Sequence, residues 1–203
     1  MNPNSDISLG ILAAGSGQRW GGRDKGLIAV RGRLLIDEII GAFKQDVAEV
    51  IINCRRNPYV YGQYSSRLIG DAVADAGPTA GIAALLACCQ GPLLLVLPCD
   101  LLEPSKQLVA RMVSQLGVGD SGVVLIDETG RHSACVLLRV SVADAVWSYI
   151  QAGGRSLAGL FETLSLRPVL HAAIVDVDEP SVLAEYRRSR RGSRPEQSIK
   201  FEG

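Results

Sequence analysis

The residues best suited to chemistry lie in one stretch near the start of the chain. Leu12–Leu27 reads L-A-A-G-S-G-Q-R-W-G-G-R-D-K-G-L and follows the apolar run Ile7–Ala13. It carries five glycines together with Arg19 and Lys25. Glycine lets backbone N–H groups come close to an anion. Arginine adds a fork of donors and lysine a point charge. The grouping points to a triphosphate site, and a surface loop with two solvated charges is the competing reading. The common phosphate motifs do not fit. A Walker loop requires Ser or Thr after its lysine, and Gly26 follows Lys25; a dinucleotide fingerprint requires a third glycine where Trp20 stands.

Asp100 is the second candidate. It closes Pro98-Cys99-Asp100 after the most apolar run of the chain, Leu93–Leu97. A carboxylate there is costly unless it is paired or bound to a metal. Asn53 and Asp71 also stand at the ends of apolar segments. Either can be read as a ligand contact or as a group satisfying its own turn. His132, at a hairpin end, is a structural residue or a substrate contact on the same footing.

Together these residues fit nucleotidyl transfer, which rests on positioning and charge neutralisation more than on covalent catalysis. Amides of Ala14–Gly17 would hold phosphates. Arg19 and Lys25 would offset charge on a leaving pyrophosphate. Asp100 would hold Mg²⁺ through one carboxylate, with phosphate oxygens and water completing the octahedron. The attacking oxygen belongs to the second substrate, so no cysteine or serine nucleophile is needed.

The elements that must position these groups alternate between strand and helix patterns. Strands are expected at Ile7–Ala13, Val47–Asn53, Arg67–Gly70, Leu93–Leu97, Gly122–Ile126, Ser133–Leu138 and Leu170–Val177. Helices are expected at Leu34–Phe43, Pro58–Ser66, from about Thr79 through Cys89, Pro104–Leu116, Val142–Ala152, Ser156–Leu164 and Ser181–Arg190. Thr79 is read as a helix cap and Pro104 as a first-turn proline. The short link Asp127–His132, with Gly130, predicts a hairpin. The order gives an α/β fold with a mostly parallel sheet, a late antiparallel hairpin and helices on both faces. Ligands in such sheets sit beyond the carboxyl ends of the strands. The glycine loop, Asn53, Asp71 and Asp100 all fall there.

The 203 residues suit one domain, read as residues 1–191 with a loose tail at 192–203. Hydrophobic residues make up 47% and 21 basic residues balance 21 acidic ones, which excludes a disordered chain or a general nucleic-acid binder. Met1–Ser8 lacks the basic segment of a secretory signal, and the apolar runs are too short to span a bilayer. Five cysteines without a C-x-x-C pair read as buried free thiols in a reducing cytoplasm. The basic stretch Arg187–Arg194 reads as a solvated helix end.

The opening stretch resembles the L-A-G-G-x-x-x-R-M-G-G-x-D-K-G-L signature of the bacterial molybdenum cofactor guanylyltransferases. The resemblance continues through Asn53, through Asp71 before Gly77-Pro78-Thr79-Ala80-Gly81, and through Pro98-Cys99-Asp100. Arg131-His132-Ser133 and Asp176-Val177-Asp178-Glu179-Pro180 are weaker counterparts of later family motifs. It spans about Ser8 to Tyr186. It implies a single-domain, three-layer fold like that of the nucleotide-diphospho-sugar transferases. It also implies transfer of GMP from GTP to molybdenum-bound molybdopterin, with Mg²⁺ as cofactor and pyrophosphate as by-product. Leu12, Ala13, Ala14 and Gly15 would line the nucleotide, and Asn53 and Asp71 would help hold it. Lys25 would contact phosphates, Asp100 would bind Mg²⁺, and Arg19 matches the signature arginine. GTP and molybdenum-molybdopterin are then the substrates, and molybdoenzyme chaperones the expected protein partners, with no nucleic acid or membrane involved.

Three departures stand out. Ala14 replaces a glycine and gives the L-A-A-G of the related cytidylyltransferases, although Gly21–Leu27 is closer to the guanine enzymes. Trp20 replaces methionine. Asp176 and Asp178 replace asparagines, which makes Asp178 a second candidate for the metal. Three readings therefore stand open beside the guanylyl one: a cytidylyltransferase using CTP, a sugar-phosphate nucleotidyltransferase, and a nucleotide-binding partner protein without turnover.

Overall fold

A computed structural model describes residues 6–74, 77–130, 132–171 and 180–189. Strand β1 (Ile7–Ala13) runs into the glycine-rich loop, which is folded into two 3-10 turns, Gln18–Trp20 and Lys25–Leu27. A small hairpin follows, β2 (Ala29–Val30) and β3 (Arg33–Leu34), leading into α1 (Leu35–Phe43). Next come β4 (Glu49–Cys54), the single turn α2 (Pro58–Tyr61), β5 (Leu68–Ile69), α3 (Pro78–Cys88) and β6 (Leu93–Pro98). The second half holds α4 (Lys106–Gln115), β7 (Gly122–Ile126), β8 (His132–Arg139), α5 (Ala143–Gln151), α6 (Leu157–Thr163), β9 (Arg167–Leu170) and α7 (Pro180–Ser189).

Among the described residues seven strands form one sheet in the order β5-β4-β1-β6-β8-β7-β9. Every neighbouring pair is parallel except those made by β8, which is antiparallel to both β6 and β7. The expected mostly parallel sheet with a late hairpin is therefore the observed one.

Alternation along the strands divides the core, because successive side chains point to opposite faces. Leu9, Ile11, Leu95, Leu97, Leu125 and Leu137 pack against Ile36, Ile39 and Phe43 of α1 and Leu108 and Met112 of α4. Leu94, Val96, Val124, Val136 and Leu138 pack instead against Ile82 and Leu85 of α3, Val146 of α5 and Phe161 of α6. Helices thus cover both faces, giving three layers. A separate small cluster gathers Val30, Leu35, Leu102 and Leu183, with Trp20, Ile28 and Tyr186 packed against it. It docks α7 behind the glycine-rich loop. Tyr186 also donates its hydroxyl to Glu103 Oε1 at 3.0 Å and lies under the Arg31 guanidinium.

Several boundaries differ from the sequence reading, each for a local reason. Thr79 does not cap α3. Gly77, at φ 66°, is the cap, Pro78 opens the helix, and Thr79 is fully buried in the first turn. Pro104 lies outside α4, because Ser105 takes the cap and its hydroxyl accepts the Leu108 N–H at 3.3 Å. The helix expected over Pro58–Ser66 shrinks to Pro58–Tyr61, after which the chain turns. The last strand occupies Arg167–Leu170, ahead of the expected Leu170–Val177, most of which is outside the described residues. The β2–β3 hairpin was not foreseen, since two-residue strands carry no periodic signal. The tail 192–203 is also outside the described residues.

Among the described residues no helix is long and apolar enough to cross a membrane. All five cysteines are free; Cys54, Cys99 and Cys135 are buried, while Cys88 and Cys89 are partly exposed.

Candidate active site

Three strands bring the site together at their carboxyl ends. Leu12 of β1 lies opposite Asn53 of β4 on one side and Pro98 of β6 on the other. Asn53 in turn lies opposite Ile69 of β5. The residues that follow these positions, Ala14, Asp71 and Asp100, must therefore emerge along one edge of the sheet. The Cys99 N–H donates to the Leu12 carbonyl at 3.1 Å and fixes the turn into Asp100.

Two pairs form among the candidates. Lys25 donates from Nζ to Asp100 Oδ2 at 2.7 Å. The Asp100 side chain is only 6% exposed and that of Lys25 24% exposed, so the carboxylate is buried and its counter-ion is open to ligand. Asn53, itself buried, donates from Nδ2 to Asp71 Oδ1 at 3.0 Å. The Ala72 N–H donates to the Ala80 carbonyl at 3.3 Å and ties this pair to the start of α3.

The other candidates are placed differently. Ala14 and Gly15, with Ser16, Arg55 and Arg56, line a cavity of about 350 Å³ beside the loop. Arg19 is exposed on the first 3-10 turn, and among the described residues it makes no ion pair with Asp100. His132 opens β8, paired with Ile126. Arg131, Asp176 and Asp178 are outside the described residues.

The loop is held in shape by groups that its own sequence does not announce. Gly17 stands at φ 64°, and a Cβ there would come within 2.0 Å of the Arg23 carbonyl oxygen, so only glycine fits. Gly26 is buried against the Tyr61 hydroxyl and Cys99, which a Cβ would approach to 2.6 and 3.1 Å. Tyr61 donates its hydroxyl to Asp24 Oδ1 at 2.6 Å, and Asn57 donates from Nδ2 to Asp24 Oδ2 at 2.9 Å. Burial first, then Cys99 and the bond to Asp24, hold the Tyr61 phenol well above its ordinary range, so it remains a donor at working pH. Arg56 donates to the Gly15 carbonyl at 2.9 Å and to the Gly22 carbonyl. Sequence reasoning missed Arg56, Asn57 and Tyr61. The available signal was their place just past the carboxyl end of β4, where Asn53 had already been singled out.

Cys99 adjoins Asp100 and is buried. Burial above all, then the charges of Asp100 and Asp24, push its thiol upward. Iodoacetamide at pH 8 should accordingly modify Cys88 and Cys89 in the folded protein and spare Cys99 until denaturant is added. Peptide mapping by mass spectrometry checks this, and Cys99 labelled as fast as Cys88 would contradict the buried position.

Among the described residues no three His, Cys, Asp or Glu side chains gather to hold a metal. Among the described residues the donor is the buried Asp100 carboxylate, with lysine on one of its oxygens. That suits Mg²⁺, which dehydrates reluctantly and is commonly held by one or two carboxylates plus substrate phosphates.

A parallel sheet ending in a glycine-rich loop, a buried aspartate and a lysine defines a nucleotidyltransferase of the α/β class. The chain belongs to the MobA-like NTP transferase domain family, which it matches over residues 9–169. It is 37% identical over 168 residues to the molybdenum cofactor guanylyltransferase of Ralstonia nicotianae, covering 77% of this chain and 82% of that one. It is 34% identical over 153 residues to the enzyme of the same name from Shewanella amazonensis, covering 74% and 78%. Among solved structures, the molybdopterin-guanine dinucleotide biosynthesis protein A of Archaeoglobus fulgidus superposes with a TM-score of 0.72 at 17% identity, covering 91% of this chain and 99% of that one. The 2-C-methyl-D-erythritol 4-phosphate cytidylyltransferase of Thermus thermophilus superposes with a TM-score of 0.67 at 22% identity, covering 92% and 99%. These two structures share the fold.

Proposed function

We propose that this chain transfers GMP from GTP to molybdenum-bound molybdopterin, releasing pyrophosphate and forming the guanine dinucleotide form of the cofactor. The observation that carries the reading is the Lys25–Asp100 pair at the carboxyl ends of β1 and β6, in a chain of this family. In the reaction an oxygen of the molybdopterin terminal phosphate forms a bond to the α-phosphorus of GTP. The bond from that phosphorus to the bridging oxygen of pyrophosphate breaks, and the electron pair leaves with pyrophosphate.

Each residue has a task in this scheme. Leu12, Ala13, Ala14 and Gly15 line the nucleotide, and the Asn53–Asp71 pair helps hold it. Asp100 holds Mg²⁺, which supplies Lewis-acid stabilisation of phosphate charge when bound. Lys25 neutralises the buried Asp100 carboxylate. The Lys25 ammonium would also contact the phosphates and offset charge on the leaving group. Arg19, exposed on its turn, would offset charge on the same phosphates.

The test is direct. The protein, Mg²⁺ and molybdenum-loaded molybdopterin are mixed with GTP or CTP, and pyrophosphate is measured. Release with GTP supports the reading. Release with CTP alone moves the base specificity to cytosine, as Ala14 would favour. No release with either nucleotide overturns the cofactor assignment. Omitting Mg²⁺, with chelator present, should abolish release.

A further inference from the structure

The corner between β4 and α2 grips the signature loop wherever that loop must turn. Arg56 is central to the grip. Its guanidinium donates from Nη2 to the Gly15 carbonyl at 2.9 Å and from Nη1 to the Gly22 carbonyl. These carbonyls stand at the two ends of the glycine-rich turn, and the Trp20 and Gly22 N–H groups both return to the Gly17 carbonyl at 2.8 and 3.0 Å between them. A single rigid fork therefore ties the beginning of the turn to its end. Asn57 and Tyr61 extend the grip to Asp24, the residue before Lys25.

Peptide geometry gives this bridge a consequence. In a trans peptide the C=O and the next N–H point in opposite directions. With the Gly15 carbonyl turned onto Arg56, the Ser16 N–H faces away from the guanidinium, on the opposite side of the loop. Gly15 and Ser16 are exposed. Without the bridge a glycine peptide rotates freely, and its amide dipole averages over many directions.

We propose that Arg56 is a positioning residue for nucleotidyl transfer. It locks the Gly15–Ser16 peptide and the span to Gly22, so that the loop presents its amides to the triphosphate in one orientation. This rests on the functional reading above. Lysine cannot replace it, because one ammonium cannot hold two separated carbonyls with the fixed geometry of a guanidinium.

The experiment compares wild type with Arg56→Ala and Arg56→Lys. It measures GTP binding by calorimetry with Mg²⁺, pyrophosphate release, melting temperature and Trp20 emission. Emission is read in a Trp147→Phe background, since Trp147 sits apart on α5. Both variants should lower kcat by about tenfold to a hundredfold, the usual cost of a small misplacement of groups. Their melting temperatures should stay near that of wild type, and Trp20 emission should shift. Guanidinium ion at millimolar concentration should restore part of the rate to Arg56→Ala and none to Arg56→Lys. An Arg56→Ala enzyme with wild-type kcat and KM overturns the proposal. So does an Arg56→Lys enzyme equal to wild type, because charge alone would then suffice. If wild type turns over no nucleotide, the functional reading fails. Unchanged Trp20 emission in Arg56→Ala overturns the loop-locking role independently of turnover.

Discussion

Asp100→Asn should lower kcat for pyrophosphate release by about a thousandfold or more and leave the fold nearly as stable as before. The first half follows from the task given to the carboxylate. Holding a divalent cation against developing phosphate charge contributes several kcal/mol, and each 1.4 kcal/mol is about tenfold in rate. The second half follows from burial. Asp100 is 4% exposed, and asparagine fills the same space without a charge to desolvate. Lys25, left behind, is 24% exposed at its side chain and is hydrated where it stands. Pyrophosphate release and a thermal melt on the same preparation check both halves. A near-normal rate would remove Asp100 from the metal site.

Lys25→Met should show the reverse balance, with a loss in both activity and stability. Removing a donor aimed at phosphate charge costs on the order of a hundredfold in kcat/KM. It also strands Asp100 as an uncompensated buried carboxylate. Breaking a fully buried pair from one side costs about 3–5 kcal/mol, and the partial exposure of Lys25 brings the expectation nearer to about 2 kcal/mol. In a chain of this size that lowers the melting temperature by roughly 4–8 °C. The double variant Lys25→Met, Asp100→Asn separates the two effects. It should regain most of the lost melting temperature, because no charge is stranded, while remaining inactive. Additive destabilisation in the double variant would mean that the 2.7 Å contact carries no coupling.

The parts of this molecule that were legible in the sequence are those whose signal is local. β1 and β7 begin and end where their short apolar runs place them, and Leu93–Pro98 carries a run of apolar residues that only a buried central strand needs. Asp100 was legible because an acid so soon after such a run has few inexpensive explanations. Asn53 and Asp71 were singled out separately by their strand ends, and the structure joins them by a hydrogen bond. The grip on the loop was not legible. Arg56 reaches Gly15 across 41 residues and Tyr61 reaches Asp24 across 37. No periodicity links such positions, and R-R-N-P reads alone as an ordinary charged turn. The departure at Trp20 acquires a structural account: its ring packs on the small cluster that seats Leu183 of α7. Ala14 receives no such account, and the base it favours is a matter for the pyrophosphate assay.

The cluster that seats α7 also bears on how the protein comes into being. The signature loop leaves the ribosome well before α7, yet Trp20 rests on Val30, Leu35, Leu102 and Leu183, the last supplied by α7. Domains assemble as their N-terminal parts emerge. Here a segment made early gains its backing only when α7, made much later, has folded onto it. A nascent chain that carries the whole signature and Asp100 but not α7 is therefore still without the packing behind its signature loop.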